Sequence, residues 1–226
     1  MPSDRRDFLR QLSLATAATV GGAMVTPLAA GSLDRAGDAL ARSGSPWDMS
    51  WVDAVQRATY KAVFDSPALA DGSALDNAAA IQDNFKEVYG SDDVVRMVIV
   101  MRQLGQVMGF TDDLWDRYAI GAERQVMDPL TKQPARRNPW AKAQAGDPDW
   151  ARESKLDALR ARGAIFLVCN RASMNWAASA AERTHTDPEK VRADVRSGLV
   201  PGATLMPSGI FALVRAQNAG CAYMRS

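Results

Sequence analysis

Val94-Val95-Arg96-Met97-Val98-Ile99-Val100-Met101 is an apolar run broken by a single charge and rich in β-branched side chains. It is too short for a core helix, so it reads as a strand buried on both faces, the pattern of a parallel sheet covered by helices on each side. Ala164-Ile165-Phe166-Leu167-Val168-Cys169 repeats the pattern farther along the chain. Two such strands set the class, because each needs helices packed over both of its faces.

The flanking sequence supplies those helices. Upstream, Tyr60 to Phe64 predicts a first strand that ends at Asp65-Ser66-Pro67. Ser73 with Asp76 three places later reads as a capping pair, opening a helix that runs to about Tyr89. Ala78, Ile81, Phe85 and Val88 recur at helical spacing and would face the sheet. Downstream, Thr111 caps a short helix from Asp112 to Tyr118. Residues 124–150 are irregular and Pro-rich, and helix resumes around Trp150 or Ala151 and runs to Ala161. A segment of that length without periodicity is usually functional, interfacial or mobile.

After the Ala164–Cys169 strand a helix is expected from about Ser173 to Thr184. Thr186-Asp187-Pro188-Glu189 then opens another as a capping box, ending at Ser197. Ala203 to Met206 is a short strand, Pro207-Ser208-Gly209 turns into a helix from Ile210 to Asn218, and Cys221 to Met224 closes as a strand. This order predicts an α/β three-layer sandwich with a mostly parallel five-stranded sheet, as one domain over residues 51–226. Residues 31–50, rich in Gly, Ser and Asp, read as a flexible segment before it.

Residues 1–30 are of a different kind. Arg5-Arg6 precede Phe8 and Leu9, an uncharged run extends from Leu12 to Ala30, and small residues close it. This resembles a twin-arginine signal peptide, which implies export by the twin-arginine translocase and a periplasmic location. Retention as a membrane anchor is the alternative, since the run is long enough to span a bilayer. Its Ser, Thr, Gly and Pro content favours a cleaved leader over a stable anchor. Without the leader the chain has 24 basic and 24 acidic side chains, a balance that argues against a nucleic-acid binder.

Ligands of such sheets sit outside the carboxyl ends of the strands. Those ends are Asp65, Arg102 with Gln103, Cys169 with Asn170 and Arg171, and Ser208 with Gly209. Cys169 is the one conventional nucleophile among them, a short turn ahead of a helix whose amides would stabilise a thiolate. The bland reading of Cys169 is a small buried hydrophobe. Cys221 is the other cysteine, and geometry alone decides whether the two meet. The lone His185 belongs to no cluster with metal-ligand spacing, and nucleotide-binding glycine motifs are missing, so neither a metal nor a cofactor is expected.

The stretch Pro201-Gly202-Ala203-Thr204-Leu205-Met206-Pro207-Ser208-Gly209-Ile210, continuing through Leu213 to Gln217 and Gly220-Cys221-Ala222-Tyr223, resembles the closing pattern of the DsrE/DsrF-like, sulfur-relay-type family. Ala164 to Asn170 is similar to that family's central strand and its cysteine, and Lys61 to Asp65 and Val95 to Arg102 fit its first two strands. The twin-arginine leader and the Asn138-Pro139 loop are similar to an exported branch. The resemblance covers most of residues 55–225 and implies a homo-oligomer, commonly a trimer or hexamer. It also implies that Cys169 holds a persulfide and passes sulfur on.

Two functions follow as expectations. One is a periplasmic DsrE-like sulfur carrier or thiol redox protein acting through Cys169, with Arg102, Asn170 and Arg171 holding anionic sulfur. The other is a non-catalytic, homo-oligomeric binding or scaffold protein whose small-ligand site at the strand ends includes Ser208 and Gly209. A hydrolase lacks any base–nucleophile pair.

Overall fold

The computed structural model describes residues 44–226; the leader expected over residues 1–30, with Arg5 and Arg6, and most of the segment 31–50 lie outside the described residues. Five strands form one sheet in the order β4-β3-β2-β1-β5. They are β1 (Tyr60–Ser66), β2 (Val95–Met101), β3 (Ile165–Cys169), β4 (Ala203–Met206) and β5 (Ala222–Arg225). Every pairing is parallel, with Val63 opposite Val98, Val100 opposite Leu167 and Cys169 opposite Met206. β5 joins the outer edge of β1, placing Asp65 beside Arg225.

Side chains alternate between the two faces at the period of two that a strand imposes. Phe64, Met97, Ile99, Met101, Phe166 and Val168 belong to one core, whereas Val63, Val98, Val100, Leu167 and Met206 belong to the other. The first core is covered by α2 (Ser73–Tyr89), α3 (Asp112–Arg117), α4 (Ile120–Arg124), α6 (Leu156–Ala161), α7 (Asn170–Thr184) and α8 (Pro188–Ser197). The second is covered by α1 (Trp51–Arg57) and α9 (Gly209–Asn218). The molecule is therefore a three-layer α/β sandwich.

Several local expectations are corrected. Helix α2 opens after Gly72 in the left-handed region, with no side-chain cap, so Ser73 and Asp76 do not form the expected pair. The helix over 151–161 is divided into α5 (Asp149–Arg152) and α6, because Lys155 between them takes an extended backbone as the cap of α6. Asp187 rather than Thr186 caps α8, accepting from the Glu189 and Lys190 amides. Helix α7 begins at Asn170, leaving no turn between Cys169 and the helix.

The long segment after α4 is pinned. Asn138 is completely buried, and its Nδ2 donates to the carbonyls of Met108 and Phe110 at 2.7 Å each. Its Oδ1 accepts from Trp140 N, and its own amide donates to Asp112 Oδ1. Farther on, the Lys155 ammonium donates to Pro139 O at 2.8 Å and meets Asp147 at 3.0 Å. Buried carbonyls without donors are costly, so these contacts hold an otherwise irregular chain in one path. Asn138→Ala is expected to destabilise the protein by about 3 kcal/mol in urea unfolding. It should also speed proteolysis within residues 125–155, and an unchanged midpoint would show that the segment is held by other contacts.

Candidate functional site

Chain direction decides where the strands open. After β1, β2 and β3 the chain covers the first face; after β4 it passes to the second face through α9. Adjacent strands whose connections leave to opposite faces create a crevice at their carboxyl ends. Here that switch point lies between β3 and β4. Cys169 and Asn170 stand on one side of it, with Pro207, Ser208 and Gly209 on the other.

Two helices begin at this crevice. Cys169 is the N-cap of α7, and its Sγ accepts the Ala172 amide at 3.4 Å. Ser208 is the N-cap of α9, and its Oγ accepts the Phe211 amide at 3.2 Å. A helix N-terminus presents unpaired amides and the positive end of the dipole, which together favour an anion. Cys169 is only 5% exposed.

Arg102 reaches the crevice from the end of β2. Its Nε donates to Asp65 Oδ1 at 2.6 Å and its Nη2 to Asp65 Oδ2 at 2.8 Å, a bidentate pair. Tyr223 from β5 donates its hydroxyl to Asp65 Oδ2 at 2.8 Å. The Asp65 carbonyl accepts from both the amide and the hydroxyl of Ser226. Gly209 is packed under this side chain: a Cβ there would stand 2.6 Å from the Arg102 Cβ. The chain then turns sharply, with Gln103 at a positive φ of 49°, and the amides of Leu104 and Gly105 donate to Pro67 O.

Burial alone would raise the Asp65 carboxyl, but the Arg102 and Tyr223 hydrogen bonds and the Arg102 and Arg225 charges outweigh it and hold the group below its ordinary value. Asp65 in turn pushes the Arg102 guanidinium up, against its own burial, and the neighbouring Tyr223 and Cys169 groups add to that shift. A fixed positive charge therefore stands near the Cys169 thiol. Cys221 differs: desolvation pushes it up to about 11, against a small opposing effect of Lys61.

Of the residues singled out in the sequence, Cys169, Arg102, Ser208 and Gly209 converge at the strand ends. Asn170 is half-buried as the first residue of α7, whereas Arg171 is exposed and its side chain makes no hydrogen bond or ion pair among the described residues. Both cysteines are free. Cys169 ends β3 and Cys221 precedes β5, so in an all-parallel sheet they occupy opposite ends and cannot join. Sequence reasoning gave no role to Tyr223, although it sits in the closing Gly-x-Ala-Tyr stretch, and it left Asp65 without its partner. It also missed Ser173 Oγ and Gln106 Oε1, buried atoms that lack a hydrogen-bond partner. They lie on α7 and on the 3-10 segment (Gln103–Gly109) packed against it.

Two cavities of about 560 and 580 Å³ lie elsewhere, against residues 141–142 and 128–145 of the pinned segment. Among the described residues no group of three His, Cys, Asp or Glu side chains is placed to hold a metal ion. No helix among them is long and apolar enough to cross a membrane.

No family model matches the chain, and no curated protein does. One solved structure, a protein of unknown function (MTH1491) from Methanobacterium thermoautotrophicum, is similar at 16% identity. The alignment covers 74% of this chain and 99% of that one, with a TM-score of 0.37.

The depressed Asp65 carboxyl makes a signed prediction. A carboxylate whose folded value lies below its unfolded one stabilises the protein above the unfolded value, and loses that contribution as pH falls through the folded one. Asp65→Asn should cost about 2 kcal/mol near neutral pH. The gap between the variant and the parent should close as the pH falls through and below the ordinary carboxylate value of 3.8. A gap that is constant with pH would mean that the ion pair contributes nothing through charge.

Proposed function

We propose that this protein is a periplasmic, DsrE-like thiol protein that carries sulfane sulfur, or exchanges disulfides, through Cys169. The observation that carries this reading is the Cys169 Sγ accepting the Ala172 amide at the N-cap of a 15-residue helix. Helix-end amides and a nearby cation favour a thiolate, which is the nucleophile in sulfur transfer. Arg102 supplies that cation, and the start of α9 adds a second set of amides across the crevice.

In the transfer step the Cys169 thiolate attacks the outer sulfur of a persulfide donor, R–S–SH. A new S–S bond forms to Cys169 as the donor's own S–S bond breaks, and R–S⁻ departs as the leaving group. The proton of the transferred sulfur passes to the released thiolate, leaving Cys169–S–S⁻ and R–SH. The persulfide anion extends into the crevice, where Arg102 and the two helix starts favour negative charge. Asn170 and Arg171 at the start of α7 line its route to an acceptor. Export by the twin-arginine translocase and assembly as a trimer or hexamer are parts of the same reading, drawn from the sequence resemblance.

A second reading has its own support. Cys169 is 5% exposed, and the cavities lie away from it, as suits an oligomeric binding protein in which the thiol caps a helix and does nothing more. Alkylation of the purified protein separates the two. Cys221 is held up at about 11 and buried, so labelling near neutral pH reports on Cys169. The thiol reading expects Cys169 to alkylate in the folded protein. Intact mass should show added sulfur after polysulfide treatment, abolished in Cys169→Ser. A thiol that labels only on unfolding would leave the binding protein.

A further inference from the structure

The cavity of about 560 Å³ is formed by two groups of elements. One comprises Lys142 with Asp157 and Arg160 of α6; the other comprises Asp112, Asp113 and Arg117 of α3 with Asp194 of α8. Leu114, Leu156 and Val200, all buried, supply an apolar floor between them. The pinned segment closes the site, since Asp157 N donates to Ala141 O at 3.1 Å and Asn138 N donates to Asp112 at 3.0 Å.

Most of these charges are already satisfied, and the exceptions are informative. Asp194 accepts from Tyr118, Lys190 and Arg117 at 2.6, 2.8 and 2.9 Å. Asp112 accepts from the Asn138 amide, and Asp157 from the Ala158 amide. The side chains of Lys142, Arg160 and Asp113 make no hydrogen bond among the described residues, although Asp113 feels the charge of Arg117. Arg160 is also placed, its Cδ lying 2.6 Å from where a Cβ on Gly202 would stand. The first group thus has two cations against one carboxylate. The second has three carboxylates against the one guanidinium of Arg117, and Asp113 is the one whose carboxylate accepts no hydrogen bond. A pocket with an apolar floor, a surplus of cations in one group and a surplus of carboxylates in the other suits a ligand carrying both charges.

We propose that this cavity binds a small zwitterion with an apolar side chain, such as an aliphatic amino acid, whose carboxylate meets Lys142 and Arg160 and whose ammonium meets Asp113. The leucine side chain would rest on Leu114, Leu156 and Val200. The site is independent of Cys169, which lies at the carboxyl end of β3, whereas this cavity borders the segments leading into β3 and β4.

Titration calorimetry with L-leucine, N-acetyl-L-leucine and L-leucinamide tests this directly. Leucine should bind saturably, and each analogue lacking one charge should bind about tenfold more weakly. Arg160→Gln should weaken leucine and N-acetyl-leucine while sparing leucinamide. Asp113→Asn should weaken leucine and leucinamide while sparing N-acetyl-leucine. Both side chains are exposed, so unfolding without ligand should be unchanged, which separates lost binding from lost structure. No saturable heat from leucine up to about 10 mM, or equal binding of all three probes, would overturn the proposal. Binding that survives both substitutions would do the same.

Discussion

A parallel strand is reached from its neighbour only by a crossover, and crossovers in one sheet share a right hand. That constraint organises this molecule. The chain steps from β1 to β2, β3 and β4 in one direction, each time covering the same face of the sheet. To place β5 on the far side of β1 it must reverse direction, and a right-handed return then has to run over the opposite face. Helix α9 makes that return beneath β4, β3, β2 and β1. The same reversal covers the second core and opens the crevice between β3 and β4. It also brings the last strand and the end of the chain to the side of Asp65.

The second consequence is electrostatic. Asp65 is 4% exposed, and a carboxylate taken out of water is costly unless charge and hydrogen bonds replace the solvent. Arg102 does so from β2 and Tyr223 from β5, so the centre of the sheet's carboxyl end is tied by groups from three strands. The pair fixes a guanidinium beside the crevice instead of leaving a flexible cation there. Gly209 makes this possible by omitting the side chain that would displace Arg102. The thiol chemistry proposed for Cys169 depends on that fixed charge and on the helix that begins at the next residue.

The pinned segment shows how an aperiodic stretch becomes specific structure. One buried side chain, Asn138, satisfies two carbonyls and accepts a third group's amide. Its neighbours close one cavity against α3 and α6 and shape another within residues 128–145. Trp115 and Trp176, scattered in the sequence, are buried with their indole N–H groups bonded to Val107 O and Glu123. They pack the layer beneath this segment and line neither cavity.

The sequence by itself determined the fold class, the number of strands and their succession along the chain, and that Arg102, Cys169, Ser208 and Gly209 stand at strand ends. Those follow from local rules: a period of two or of 3.6, short apolar runs, and turn residues between them. It did not determine that β5 lies beside β1, that Asp65 meets Arg102, or that the two cysteines occupy opposite ends. Strand order is set by long-range pairing and crossover hand, which leave no mark on local periodicity. Nor could it distinguish a mobile 124–150 segment from a pinned one, because a single buried amide with the right carbonyls in reach does that work. The charge surplus on each side of the cavity, with Lys142 and Arg160 facing Asp113, was equally invisible, since a surplus is defined only after every neighbour has found its place.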